Sequence, residues 1–205
     1  DLESYGKPLI FVDSNTLYLG HSCVTTDLED SVITALEYFL EQGHKEIGLL
    51  VGQEETADAT PLQMDPRQRS FQQFLTEKGL YEERFVSVGQ FSTESGYQMM
   101  EQLIQDLGDV LPTAFFMASD ALAVGALRSL QEHQIAVPDR VSLISFNDTS
   151  IAKYVFPALS TVTVYTEEMG KQAIQMLRQT FQGAQPSVPY MVKLATKLTI
   201  RDSSR

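Results

Sequence analysis

Short apolar runs along this chain alternate with longer stretches in which apolar residues recur at helical spacing. The first run, Leu9 to Val12, predicts a strand. A polar crossover leads to "TTDLEDSVITALEYFLEQGH", where Val32, Leu36, Phe39 and Leu40 form one helical stripe, Thr26 and Glu29 match a capping box, and Gly43 ends the element. "EIGLLVG" is too continuously apolar for a half-exposed strand and predicts a buried parallel one. After a polar loop, Asp65 and Pro66 open a second helix as N-cap and first residue. Phe71, Phe74 and Leu75 face its inner side, and Gly79 closes it. "RFVSVGQF" is the next strand, followed by a helix capped by Ser92 or Thr93 with Tyr97, Met100, Leu103, Ile104 and Leu107 inside. Pro112 precedes the strand "TAFFMA", Asp120 caps a helix striped by Leu122, Ala126, Leu127 and Leu130, and "RVSLISF" is the strand after it. Near the end, "STVTVY" reads as a strand and Thr166 to Phe181 as a helix with Met169, Ala173, Leu177 and Phe181 inside. "YMVKLATKLTI" has the period of two of an edge or antiparallel strand.

Strands and helices that alternate with short connections predict an α/β fold, a parallel sheet with helices on both faces. With 205 residues and 43% hydrophobic content the chain can bury a substantial core. A formal net charge of −12 without any Lys/Arg cluster disfavours nucleic acid as a partner of this chain itself. One cysteine, Cys23, excludes an internal disulfide framework and suits a cytoplasmic protein. No stretch approaches the ~20 apolar residues of a membrane span, and the start lacks a signal-peptide pattern, so no membrane role is expected. Nucleotide-loop, nucleophile-elbow and H-E-x-x-H motifs are missing, so the chain is read as a non-enzyme without cofactor. His21, His44 and His133 have no partners at metal-ligand spacing.

Parallel sheets bind ligands at the carboxyl ends of their strands. Four strand ends here offer polar or aromatic groups: Asp13, Phe91, the couplet Ser119-Asp120, and the couplet Asn147-Asp148, with Arg67 in the first turn of the second helix. Planar donors, amides or carboxylates, and an aromatic face together suit a sugar, whose vicinal hydroxyls need paired hydrogen bonds and whose C–H face needs a ring. Structural roles compete at several positions. Asp120 suits an N-cap, Asp148 an Asx turn, and Phe91 a place in the core. Arg67 sits where the helix dipole disfavours a cation, which points instead to a ligand role.

The ordered set "GHKEIGLLVG", "DPRQRSFQQFL", "PTAFFMASDALAVGALRSLQEHQIAVPDRVSLISFNDT" and "FPALSTVTVYTEEMGKQAIQML" resembles, over nearly the whole chain, the effector-binding core of lactose/galactose-repressor (LacI/GalR) family transcription regulators. The resemblance implies a type I periplasmic-binding-protein-like fold of two subdomains with a sugar effector between them, and a homodimer. By the same resemblance, residues 1–23 and 164–182 belong to an N-terminal subdomain, and 24–163 and 188–201 to a C-terminal one. The resemblance also implies a further part of the N-terminal subdomain and a helix-turn-helix domain that binds operator DNA, neither of which this sequence matches. Arg67 matches the family's hydroxyl-binding arginine and Phe91 its sugar-packing aromatic. Ser119 stands where many members carry Asn, and Asn147 where many carry Asp. Asp13 and Tyr165 are implied on the opposite wall, and Ile151, Tyr154, Val155 and Leu122 on the dimer surface. A neutral, galactose-like sugar is expected, with a phosphoprotein corepressor as a further partner known in the family. A sugar-binding protein of a transport system is the alternative reading.

Overall fold

The computed structural model describes residues 6–53, 64–184 and 186–205, so the polar loop that follows "EIGLLVG" lies largely outside the described residues. The chain divides into two compact units. The smaller comprises residues 1–27 and 164–196, and the larger residues 28–163 and 197–205.

In the smaller unit, β1 (Ile10–Val12), β2 (Ser22–Thr26) and β8 (Met191–Leu194) form a parallel sheet in the order β1-β2-β8. Sequence pattern does not reveal strand β2, because "SCVTT" shows neither a continuous apolar run nor regular alternation. Thr26 is accordingly the last residue of a strand rather than a helix cap, and its hydroxyl is directed to Met169 Sδ at 3.4 Å. Helix α6 (Thr166–Phe181) packs on this sheet through Met169 and Met176, which surround Val24 together with Ala173, Ile10 and Val192. Helical spacing places Leu177 and Phe181 on the inner side as well. Phe181 is instead 70% exposed, because the stripe that meets the sheet follows 169, 173 and 176 at spacings of four and three.

In the larger unit, strands β3 (Ile47–Gly52), β4 (Val86–Gly89), β5 (Ala114–Met117), β6 (Ser142–Asn147) and β7 (Ser160–Thr163) are parallel. Strand β9 (Lys197–Thr199) closes one edge antiparallel to β7, and the sheet order is β4-β3-β5-β6-β7-β9. The single strand expected in "YMVKLATKLTI" is therefore two, β8 and β9, one in each unit. Their shared alternation hides the break at Ala195-Thr196. Strands β3, β5 and β6 are buried along nearly their whole length, as continuous apolar runs in a sheet covered on both faces must be. Helix α1 (Leu28–Glu41) packs with α2 (Pro66–Glu77), and α3 (Thr93–Leu107) with α4 (Asp120–Glu132).

Several local expectations match the fold. Asp65 caps α2 by accepting from Arg67 N with Pro66 as the first helical residue, and Ser92 caps α3 by accepting from Ser95 N. The α4 cap differs: Ser119 accepts from Leu122 N, and Asp120 is the first residue inside the helix. Leu122, expected on a dimer surface, is fully buried where α4 crosses α3. A Cβ built on Gly96 would lie 2.3 Å from the Leu122 carbonyl oxygen. Leu122 is core, because so close a helix crossing leaves its side chain no route to solvent.

Candidate functional site

The chain leaves β3 for β4 on one side and then crosses to β5 on the other, so β3 and β5 are neighbours whose connections depart in opposite directions. Such a switch point opens a crevice at the strands' carboxyl ends. Four of the expected ligand residues, Arg67, Phe91, Ser119 and Asn147, belong to the larger unit at that end of its sheet.

Arg67 is the centre of the cluster. Its Nε and Nη2 donate to the two carboxylate oxygens of Asp65 at 2.9 and 2.8 Å, and its Nη1 donates to the Ala118 carbonyl just beyond β5 at 2.7 Å. Asp65 Oδ1 also accepts from Arg67 N at 2.8 Å. One carboxylate thus caps α2 and neutralises the cation that the helix dipole would disfavour at that position. The guanidinium lies 4.7 Å from the Phe91 ring centroid and 5.4 Å from that of Phe146, the residue before Asn147 in β6. Cation–π contact with two rings and a bidentate carboxylate fix the fork in one orientation. Three of its five N–H groups are used, which leaves one on each terminal nitrogen without an acceptor among the described residues. Sequence pattern shows Asp65 only as a cap and Phe146 only as strand core, so it does not disclose the clamp itself.

Phe91 reaches its place because β3 ends in glycine. A Cβ on Gly52 would lie 2.4 Å from the Phe91 ring and 2.7 Å from its backbone nitrogen. No other residue lets the ring lie against the strand there.

The two polar couplets differ internally. Ser119 is buried, and its Oγ accepts from Leu122 N at 3.2 Å, so its hydroxyl proton is the group left to offer. Asp120 is only 1% exposed and turns inward, away from the capping role expected of it. Its Oδ1 accepts from Ser145 Oγ at 2.5 Å and Thr161 Oγ1 at 3.2 Å, and its Oδ2 from Thr149 N at 2.6 Å and Thr149 Oγ1 at 2.8 Å. Asp148 is also structural. It accepts from Arg201 Nη2 at 2.6 Å and Thr163 Oγ1 at 2.9 Å, so an ion pair with a residue distant in sequence takes the place of the expected Asx turn. Asn147 alone of the four couplet residues has a side chain with no hydrogen-bond partner among the described residues, and it is partly exposed.

The remaining expected residues lie elsewhere. Asp13 follows β1 with φ 62°, and its N–H donates to the Val24 carbonyl at 2.9 Å. Tyr165 precedes α6 and is 42% exposed. Both belong to the smaller unit. Ile151 and Tyr154, on the short helix α5 (Ile151–Tyr154), are exposed, Tyr154 by 83%, and Val155 is partly so. Phe156, next in the chain, is 85% exposed, which its apolar character does not suggest. Among the described residues no three His, Cys, Asp or Glu side chains gather as metal ligands would, and no helix is long and apolar enough to cross a membrane.

Residues 36–204 match the family of the periplasmic binding protein-like domain. The chain is 52% identical over its full length to an HTH-type transcriptional regulator GalR of Streptococcus thermophilus, covering 61% of that protein. It is 36% identical over 99% of its length to a GalR of Lacticaseibacillus casei, again covering 61%. Among solved structures, a transcriptional regulator CelR–cellobiose complex superposes with a TM-score of 0.85 at 27% identity, over 98% of this chain and 60% of that one. The chain thus spans about three fifths of the length of the curated relatives it matches.

Proposed function

The chain belongs to the periplasmic binding protein-like domain family, as a LacI/GalR-type effector-binding core, and from that premise we propose that it is the sugar-sensing part of a cytoplasmic transcriptional repressor. A neutral sugar of galactose type is held by Arg67, Phe91, Ser119 and Asn147, all of the larger unit. One observation carries this reading. A guanidinium over the rings of Phe91 and Phe146 keeps two N–H groups without an acceptor among the described residues, close to the strand end that bears Asn147, whose carboxamide has no partner among them either. Two fixed donors suit adjacent hydroxyl oxygens, Asn147 supplies both an acceptor and donors, and Phe91 covers a C–H face. A sugar phosphate fits less well, since among the described residues Arg67 is the one cation in the cluster and Asp65 already neutralises it.

The ligand undergoes no reaction. Its binding shifts the operator affinity of the full-length protein by no more than its differential affinity for the DNA-binding and released states. Titration calorimetry of the full-length protein with D-galactose, lactose, melibiose, cellobiose and galactose 6-phosphate tests the reading. A neutral galactoside is expected to bind best and to change operator affinity. If none of these sugars binds, the proposal is wrong.

Ile151, Tyr154 and Val155 supply the homodimer surface, extended by Phe156. An exposed tyrosine on this short helix and an exposed phenylalanine two residues beyond its end suit the centre of an interface. Tyr154→Glu is expected to raise the dimer dissociation constant ~100-fold or more, consistent with a buried aromatic anchor. Sedimentation velocity over a dilution series, with sugar binding as the folding control, provides the check.

A further inference from the structure

The functional reading leaves Asp120 unexplained: a fully buried carboxylate at the carboxyl end of β5 whose partners all lie on β6, β7 and the turn between them. That turn is unusual. Asn147 has φ 105° and Asp148 φ 57°, two consecutive non-glycine residues in a region L-residues seldom occupy, which persists only where surrounding contacts enforce it. The enforcing contacts are on both sides. Asp120 Oδ2 takes both the N–H and the hydroxyl of Thr149. Its Oδ1 takes Thr161 Oγ1, which in turn accepts from Asp148 N at 3.3 Å. From the other side Arg201 holds Asp148 Oδ1, and Arg201 is itself tied through Nη1 to the Leu159 carbonyl at 2.7 Å and through its N–H to Ser160 Oγ at 2.8 Å. Asp148 and Thr149 are thus pinned, while the Asn147 carboxamide has no hydrogen-bond partner among the described residues.

We infer that Asp120, supported by the Asp148–Arg201 pair, is a positioning residue of the sugar site, holding the Asn147–Thr149 turn in the backbone conformation that presents the Asn147 carboxamide to the ligand. The inference rests on the sugar-binding reading of this cluster. It also accounts for the two polar couplets: the first member of each faces ligand, and the second builds the support beneath it. Asp120 does not touch the sugar. It acts through Thr149 and Thr161.

The test is a double-mutant cycle on the full-length protein, with affinity for the best-binding sugar of the panel as readout and the melting transition as folding control. Asp120→Asn removes the charge and turns one of the two acceptor oxygens into a donor, so the set of four accepted hydrogen bonds is lost. Thr149→Val removes a single hydroxyl and serves if the first variant folds poorly. Each is expected to weaken binding about tenfold, the lower end of what losing an orienting partner costs at metal sites. In an Asn147→Ala background each is expected to have no further effect, because the carboxamide they position is gone. A purely structural role would weaken both backgrounds equally, and that outcome overturns the inference, as does unchanged affinity in the single variants. If the wild-type protein binds sugar and Arg67→Ala does not, the site reading stands whatever the cycle gives. If the wild type binds no sugar, both fall.

Discussion

Arg67→Ala is expected to weaken sugar binding at least ~100-fold, equivalent to about 2.8 kcal/mol at ~1.4 kcal/mol per tenfold change. The substitution removes the two unspent donors and also the platform that holds Phe91 in place. The α2 cap survives, since Asp65 still accepts from the backbone N–H at position 67. What the fold loses is the stacking on Phe91 and Phe146 and the donor to the Ala118 carbonyl, a cost of about 1–2 kcal/mol that leaves the protein folded. Arg67→Lys separates charge from geometry. A lysine keeps the cation but cannot bridge both Asp65 oxygens while donating to Ala118 and to ligand, so an intermediate loss is expected. Calorimetry of the three proteins against one sugar decides the matter. Equal affinity in all three would place the ligand elsewhere.

Gly125→Ala is expected to be the most damaging single-methyl change in the larger unit, at about 3 kcal/mol or more, the range of severe overpacking. The added carbon would lie 2.0 Å from the Thr93 carbonyl oxygen, 2.5 Å from Tyr97 N and 3.0 Å from the Gly96 carbonyl carbon. All three are backbone atoms, so no side chain can rotate aside and α3 and α4 must separate. Gly96 meets the Leu122 backbone reciprocally, so the two helices cross through facing notches. Gly170 in α6 provides the opposite case, since an added Cβ would meet nothing within 4 Å. Gly170→Ala should stabilise by ~0.5–1 kcal/mol, the ordinary helix-propensity gain. Urea denaturation midpoints of both variants, with opposite signs expected, test the account. A mild effect at Gly125 would mean that the two helices can separate at little cost.

Much of the fold was legible because its signals are local. A buried strand such as "IGLLVG" is recognisable from six consecutive residues, and the Asp65 and Ser92 caps from the helices they open. Strand β2 escapes such reading because "SCVTT" is short and mixed, and its place depends on pairing with Tyr190 to Leu194 far along the chain. The inner stripe of α6 is ambiguous for a similar reason, since Met176 and Phe181 are both apolar and only the neighbouring sheet selects between them.

The site divides in the same way. That polar and aromatic groups gather at strand ends follows from the order of elements, and Arg67, Phe91, Ser119 and Asn147 could be nominated on that ground together with the family resemblance. Three features needed the tertiary structure: Asp65 grips the Arg67 side chain as well as its N–H, Phe146 forms the second ring against the guanidinium, and Asp120 and Asp148 face inward. Periodicity and capping are set within a few residues, so sequence alone determined most of the elements and their order. Which donor meets which acceptor depends on register between strands and on segments such as Arg201 that return from far along the chain. Only the assembled sheet could decide that Asp148 of the second couplet is bound while Asn147 has no side-chain partner among the described residues.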